Sequence, residues 1–253
     1  MNIKNDRESI RPNQVPPNSF HHKLEIDIDD CESMDFVFPI SAAKELRQHQ
    51  FLEIRSCGIK NIFEKSDSTS DMTHVYLEKI TVKMCTGMKT IIPSCVLFQC
   101  LDELIVFSCH TLVNIIRPST TTSLPNLRIL RISECDELEE IYGSSNEGDA
   151  PVLDEIPFMK LEELTLNNLP RLTSFCQGNH SFNFPSLQKV HLKACFRLRT
   201  FCHGNLTTTS HIEVRCLYGW SNDKSEDHWD DDLNTTIRTI FTEEVHINQT
   251  SGS

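Results

Sequence analysis

Cysteine and histidine are the residues best suited to chemistry here, with eleven of each in 253 residues. Thiols act as nucleophiles, metal ligands or disulfide partners, and imidazoles act as bases or metal ligands. A disulfide scaffold is typical of short secreted chains, whereas the N-terminal sequence MNIKNDRESIRPNQVPPNS has no apolar signal segment. No C-x-x-C pair is present, which gives little support to a zinc site.

Enzymatic use of these residues would require a nucleophile, a base and an orienting group to converge. His191 and Cys195 are near neighbours in the sequence, but we expect them on opposite faces of the turn that ends a strand. The sequence therefore predicts that the chain is not an enzyme and uses neither a metal nor a cofactor.

Net charge limits the classes of partner. The chain has 36 acidic and 24 basic residues, a formal net charge of −12. Nucleic-acid binders need Lys and Arg to displace phosphate counterions, and anionic membrane surfaces attract cationic segments. No run approaches the roughly 20 apolar residues of a membrane span. We expect a cytoplasmic protein that binds neither nucleic acid nor membrane and takes no small-molecule substrate.

The spacing of the cysteines indicates a repeat. The template L-x-x-L-x-L-x-x-C-x-x-L-x-x-I recurs along the chain, and its ninth position forms a series of anchors separated by 26, 28, 24, 26, 34 and 26 residues. The anchors are Cys31, Cys57, Cys85, Cys109, Cys135, Leu169 and Cys195. A period of this length with this leucine pattern is typical of leucine-rich repeats.

A leucine-rich repeat places its L-x-L core in a short strand, and stacked coils bury an apolar face that one coil cannot bury alone. The sequence predicts an α/β solenoid. It would be a leucine-rich-repeat horseshoe with a parallel concave sheet, an irregular or short-helical convex side and a C-terminal helical cap. A cysteine at the ninth position would then be a small buried hydrophobe rather than a reactive group.

Four segments follow from this pattern: a disordered tail over 1–19, about seven repeats over 20–206, a terminal strand and capping helix over 207–247, and a tail over 248–253. The strand would lie near Val214. Trp229, Leu233, Ile237 and Ile240 or Phe241 recur at helical spacing, with Asp230–Asp232 in the first turn, where the helix dipole favours negative charge. The polar N-terminal tail would leave the first strand edge open, which proteins usually avoid.

Three stretches go beyond the bare template: CESMDFVFPISAAKELRQHQFLEIRSCGIKNIFEK (31–65), FPSLQKVHLKACFRLRTFCHG (184–204) and WDDDLNTTIRTIF (229–241). They resemble the C-terminal leucine-rich repeats of plant intracellular disease-resistance receptors of the coiled-coil class, which also contain a nucleotide-binding NB-ARC domain. The resemblance covers roughly residues 20–241. The receptors' phosphate-binding motif, G-x-x-x-x-G-K-[ST], does not occur in this sequence.

The resemblance implies a protein-recognition module in plant defence. Its partner would be a pathogen effector, a guarded host protein or the NB-ARC switch domain, which it would restrain and which this chain does not contain. The alternative is a substrate adaptor of a ubiquitin ligase, since F-box proteins also carry cysteine-containing leucine-rich repeats. Residues 1–19 are too short for an F-box, which disfavours this alternative.

Strand geometry places template positions three, five, seven and eight on the concave face. The first strand is acidic there, whereas the last carries Lys189, His191 and Lys193. Exposed apolar residues with charged neighbours favour a protein interface. We therefore predict a contact centre, with Lys189 and Lys193 steering an acidic partner. The centre comprises Ile105, Phe107, Ile129 and Arg131. In the competing interpretation, these residues merely suit strands and a loop covers them.

Overall fold

A computed structural model of the chain describes residues 2–4, 24–31, 35–39, 50–64, 73–93, 96–117, 124–143, 155–209, 211–217 and 226–240. Seventeen strands, numbered in chain order, lie in these ranges. Ten form one sheet, in the order in which they occur along the chain. They are β1 (Asn2–Lys4), β2 (Leu24–Asp29), β4 (Gln50–Arg55), β7 (Lys79–Lys83), β9 (Glu103–Phe107), β10 (Ile129–Ser133), β12 (Glu163–Asn167), β14 (Lys189–Lys193), β16 (Glu213–Leu217) and β17 (Glu226–His228).

The ten-stranded sheet confirms the predicted leucine-rich-repeat solenoid. Each repeat forms one coil, and we number the coils one to seven by their anchors from Cys31 to Cys195. Neighbouring coils pair their strands in parallel at matching template positions, for example Leu130 with Leu104 and with Leu164. Alternation along a strand sends positions four and six inward, and both are buried throughout coils one to seven.

The residue before each anchor has a left-handed backbone conformation, with φ between 51° and 57°. These residues are Asp30, Ser56, Met84, Ser108, Glu134, Asn168 and Ala194. This conformation turns the chain off the sheet and points the anchor into the core. In coils one to six, the N–H of this residue donates to a carbonyl at the end of the next coil's strand, at 2.7–3.1 Å.

The convex side differs from the predicted irregular or short-helical surface because it carries short strands. Two pairs and one triplet of parallel strands lie there. They are β3 (Phe36–Phe38) with β5 (Asn61–Phe63), β6 (Thr73–Val75) with β8 (Val96–Phe98), and β11 (Ile156–Pro157) with β13 (Phe182–Phe184) and β15 (Leu206–Thr208).

Buried phenylalanines fill the space behind these convex strands. Phe158 stacks on Phe184 with ring centroids 5.1 Å apart, and Phe175 stacks on Phe201 at 4.9 Å. The leucine template does not include Phe158 and Phe184. Both lie three positions before the first leucine of a coil, where Phe98 and Leu124 are also apolar, and this recurrence is their signal in the sequence.

The N-terminal edge departs from the predicted tail. Asn2–Lys4 forms β1 and pairs in parallel with β2, from Asn2 opposite Asp27 to Lys4 opposite Asp29. The pairing has a physical reason, since an unpaired strand edge presents N–H and C=O groups that another strand can satisfy. Residues 5–19 of the predicted tail, and the predicted C-terminal tail over 248–253, lie outside the described residues.

The C-terminal end carries the predicted strand and helix. Strand β16 extends the parallel sheet and β17 pairs with it antiparallel. A helix over 233–240 follows and buries Leu233, Ile237 and Ile240. Asp232 is its N-cap, because one carboxylate oxygen accepts the Thr235 N–H at 2.9 Å. The helix thus begins later than predicted, and Trp229 precedes it and packs on the core.

Asn234, in the first turn of this helix, closes the convex end of the stack. In coils three to six, the N–H of the last template position donates to a carbonyl of the next coil, as Phe175 does to Phe201 at 2.7 Å. Coil seven has the Asn234 side chain instead. Its Oδ1 accepts from Phe201 N at 2.8 Å, Cys202 N at 3.0 Å and Thr200 Oγ1 at 2.9 Å.

Replacement of this acceptor should loosen the cap. We expect Asn234→Ala to lower the free energy of unfolding by about 1–3 kcal/mol, because it leaves buried donors without an acceptor. Urea unfolding followed by circular dichroism measures the change. Asn205→Ala, at an exposed position nearby, is the matched control and should change stability by less than about 0.5 kcal/mol. Equal losses in both variants would contradict the capping role.

Candidate protein-binding face

The concave face consists of the outward residues of the large sheet. Strands β9, β10, β12 and β14 alternate between buried and more accessible positions, as the template requires. Their inward leucines, isoleucines and valines belong to the core. The outward side chains of the parallel strands from β2 to β16 therefore form one surface, whose rows run across the strands.

The predicted apolar centre is accessible in part but is not one cluster. Phe107 is 37% exposed, whereas Ile105 and Ile129 are half-buried. Ile105 lies opposite Arg131, and Phe107 lies opposite Ser133. Ile129 is four residues before Ser133 on the same strand, so Phe107 and Ile129 lie at opposite ends of two neighbouring strands, about 13 Å apart along the strand direction.

Met84 supplies the apolar neighbour of Phe107. It is 47% exposed and its N–H donates to the Phe107 carbonyl at 2.9 Å. The left-handed conformation of Met84 (φ 52°) places it at the C-terminal end of its strand, beside Lys83, which pairs with Phe107. We call Met84 and Phe107 the apolar rim. The template already places Met84 on this face, but pairing it with Phe107 requires the strand register.

Arg131, predicted as a contact residue, takes part in an ion-pair chain across four strands. Its Nη1 lies 2.9 Å from a Glu103 carboxylate oxygen, and its Nη2 lies 3.1 Å from Glu163 Oε1. Glu103 also binds Lys79 Nζ at 2.6 Å. The guanidinium is thus held within the face, and it neutralises charge at the centre of the sheet.

The Arg131 ion pair also affects titration of Glu163. Burial opposes ionisation of this carboxyl, but the hydrogen bond and charge of Arg131 outweigh burial and lower its pKa. Thr165 Oγ1 donates a further hydrogen bond at 3.3 Å. The ionised form of Glu163 therefore stabilises the folded chain at neutral pH.

A groove of about 790 Å³ lies over β4, β7 and β9. Its lining is largely polar and holds two ion pairs, Lys83 with Glu53 at 2.8 Å and Lys79 with Glu103. Ile105 lies on one side of the groove. The lining also includes Glu78 and Asp102, so it has more carboxylates than lysines and is acidic overall.

Coils one and seven of the concave face carry opposite charge. Asp27 and Asp29 of β2 are half-buried and Asp30 is exposed. At the other end, Lys189 is exposed and Lys193 is half-buried. His191 lies between these two lysines on the strand and is half-buried.

Two residues beyond the predicted site extend the basic end. Phe196 is 54% exposed, and Arg197 beside it is exposed. The prediction omitted them because they hold template positions ten and eleven, just after the anchor. Phe196 could have been found by comparing template position ten between coils. Coils two to six have small, polar or proline residues at this position, namely Gly58, Thr86, His110, Asp136 and Pro170.

The anchor cysteines have a structural role. All six are buried, and each S–H donates to the carbonyl two residues earlier at 2.9–3.5 Å. Burial raises the pKa of Cys135 to about 12, and burial with the nearby Cys57 raises that of Cys31 to about 11. These thiols are protonated at neutral pH and are poor nucleophiles and metal ligands.

Among the described ranges, no three His, Cys, Asp or Glu residues are grouped so that they could hold a metal ion. The same ranges contain no helix long and apolar enough to cross a membrane.

Comparisons with known proteins give consistent matches. Residues 95–204 match the family model described as plant disease resistance protein RPS2-like, leucine-rich repeats. The probable disease resistance protein At4g14610 of Arabidopsis thaliana is 27% identical over 219 residues, which cover 80% of this chain and 28% of that protein. The probable disease resistance protein At5g63020 of the same plant is 36% identical over 75 residues, covering 30% and 8%. No solved structure matches significantly.

The chain therefore spans less than a third of the length of these two relatives.

Loss of the central arginine should destabilise the sheet in a pH-dependent way. We expect Arg131→Met to lower the free energy of unfolding at pH 7 by about 1 kcal/mol, because two partly exposed ion pairs are lost. The folded pKa of Glu163 lies below its ordinary value of about 4.3. The ionised Glu163 carboxylate therefore contributes fully to folding stability above its ordinary pKa of about 4.3, and this contribution fades as the pH falls through the lower folded pKa.

Urea unfolding at pH 7 and at about pH 3 measures this difference. Lys189→Met is the matched control, since it removes an outward cation with no ion pair among the described residues. We expect the control to change stability little at either pH. A loss in Arg131→Met that is as large at pH 3 as at pH 7 would contradict the assigned ion pairs.

Proposed function

We propose that this chain, whose residues 95–204 match the family model of plant disease resistance leucine-rich repeats, acts by binding another protein with its concave face. The partner would be a pathogen effector or a guarded host protein. The face would also contact a nucleotide-binding switch domain and restrain it, a role suggested by the receptors that the sequence resembles.

The apolar rim is the observation that carries this proposal. Met84 and Phe107 are adjacent, are 47% and 37% exposed, and lie at the edge of a face whose other outward side chains are mostly charged or polar. Adjacent exposed apolar side chains with polar neighbours are typical of protein-binding surfaces. Aromatic residues and methionine are also enriched at such interfaces.

Ile105, Ile129 and Arg131 remain part of the proposed contact surface, but with different roles from the rim. The two isoleucines are half-buried, so each offers a partner only part of its side chain. Arg131 is engaged by Glu103 and Glu163, so its contribution is to hold the surface in one geometry. Lys189, His191 and Lys193 provide the positive end of the same face.

We further propose that the chain works without catalysis in a reducing compartment such as the cytoplasm. The ten described cysteines are thiols rather than disulfides, which fits the redox state of that compartment. The six anchor thiols are buried, and burial raises the pKa of Cys135 to about 12, which supports a binding role rather than an enzymatic one.

Site-specific photo-crosslinking tests the proposed face. The photoreactive residue p-benzoylphenylalanine replaces Met84 in one version of the chain and Met159 in another. Met159 is a suitable control because it is 50% exposed but lies outside the large sheet, in the turn before β12. After illumination in extract of challenged leaves, we expect discrete adducts from position 84 that position 159 does not give.

A second variant makes the result specific. Phe107→Ala with Ile129→Asp, introduced into the version labelled at position 84, should remove most of the adducts while circular dichroism shows an intact fold. Identical adducts from positions 84 and 159, or adducts that persist in the double variant, would overturn the proposed binding face.

A further inference from the structure

The cations of the concave face fall into two classes. Those of coils two to five and the terminal strand are each paired with a glutamate. Arg55 and Lys83 face Glu53, Lys79 and Arg131 face Glu103, and Arg215 lies 2.5 Å from Glu213. Lys189 and Lys193 of coil seven have no ion pair among the described residues, and neither does Arg197, which lies in the turn after the anchor of the same coil.

The register explains why Lys189 stays unpaired. Its neighbours on the adjoining strands are Glu163 and Glu213. Glu163 is engaged by Arg131 at 3.1 Å, and Glu213 by Arg215. Both nearby carboxylates are thus already neutralised by arginines, so the lysine adds uncompensated positive charge. This local surplus contrasts with the chain's net charge of −12.

The basic residues of coil seven have a regular spacing. Lys189, His191 and Lys193 alternate along β14 and point to the same side, so successive side chains are about 6.6 Å apart. The adjoining strand presents Thr165 and Asn167 to the same side, and the side-chain amide of Asn167 can donate hydrogen bonds.

We propose that these residues bind an extended acidic segment of a protein partner, with Lys189, Lys193 and Arg197 facing its carboxylates and Phe196 contacting an apolar side chain. We call this set, with His191, the coil-seven site. Alternate side chains of an extended peptide have the same spacing of about 6.6 Å. Carboxylates four residues apart therefore match Lys189 and Lys193, and the side chain midway between them faces His191. The proposal rests on the proposed function and assigns the chemistry of one partner segment.

An acidic peptide fits this surface better than a nucleic acid does. A polyphosphate backbone carries its charge far beyond a site of three cations, and the chain's net charge of −12 would repel the remainder. A short acidic segment ends within the site. Phe196, which is 54% exposed, favours a ligand that also presents an apolar side chain.

Fluorescence anisotropy with defined probes tests the coil-seven site on the full chain. The probe is a fluorescein-labelled twelve-residue peptide in which Glu alternates with Ser and a Leu follows the last Glu. The same peptide with Gln for Glu and a twelve-nucleotide oligothymidine serve as comparison probes. We expect the Glu peptide to bind most tightly, with an affinity that falls as salt rises.

Two double variants with the same net charge separate local from general electrostatics. Lys189→Glu with Lys193→Glu should weaken binding of the Glu peptide about ten-fold or more. Lys89→Glu with Lys160→Glu, at exposed positions outside the large sheet, should weaken it less than about two-fold. If the Lys189→Glu, Lys193→Glu variant folds poorly, the Lys189→Met, Lys193→Met variant tests the same two positions without reversing their charge.

Three results would overturn the coil-seven site: no binding of the Glu peptide at low salt, equal loss in the two charge-reversed variants, or tighter binding of oligothymidine. Photo-crosslinking from position 84 distinguishes this failure from failure of the proposed function. If position-84 adducts persist while the peptide does not bind, only the acidic-segment proposal is wrong.

Discussion

The structure depends on the left-handed residue that ends the strand of every coil. A non-glycine residue in this conformation costs about 1 kcal/mol or more, and the seven coils repeat that cost with residues as different as Met84 and Ala194. The turn is retained because it buries the anchor and, in coils one to six, directs an N–H onto the next coil's carbonyl. A coil gains this hydrogen bond only from a neighbour, which makes the stack cooperative.

The properties of the concave face follow from this stacking. Because every coil turns at the same template position, equivalent residues align in rows across the strands. Glutamates and cations in adjacent strands then neutralise each other at the centre of the face, as Arg131 does between Glu103 and Glu163. The apolar rim and the cations of coil seven are what this arrangement leaves available to a partner.

Sequence reasoning predicted what depends on periodicity alone. The anchors, the inward leucines and the outward positions follow from counting residues, and burial of Cys135 and the strand around Arg131 agree with that count. It did not predict pairings that depend on side-chain reach. The engagement of Arg131 by two glutamates and the three hydrogen bonds accepted by Asn234 are contacts of this kind. The backbone pairing of β1 with β2 was not predicted either. All of these contacts join residues 25 to 34 positions apart, where no local pattern signals the contact.

Residue-resolved hydrogen exchange measured by NMR tests most directly whether the coils are joined by these turns. The informative amides are those of Ser56, Met84, Ser108, Glu134 and Asn168, each of which donates to the following coil. If the stack forms as described, these amides exchange as slowly as those within the strands, although each lies just outside its strand. If these amides exchange as fast as those of an unstructured peptide, the claim that the turns join neighbouring coils is contradicted.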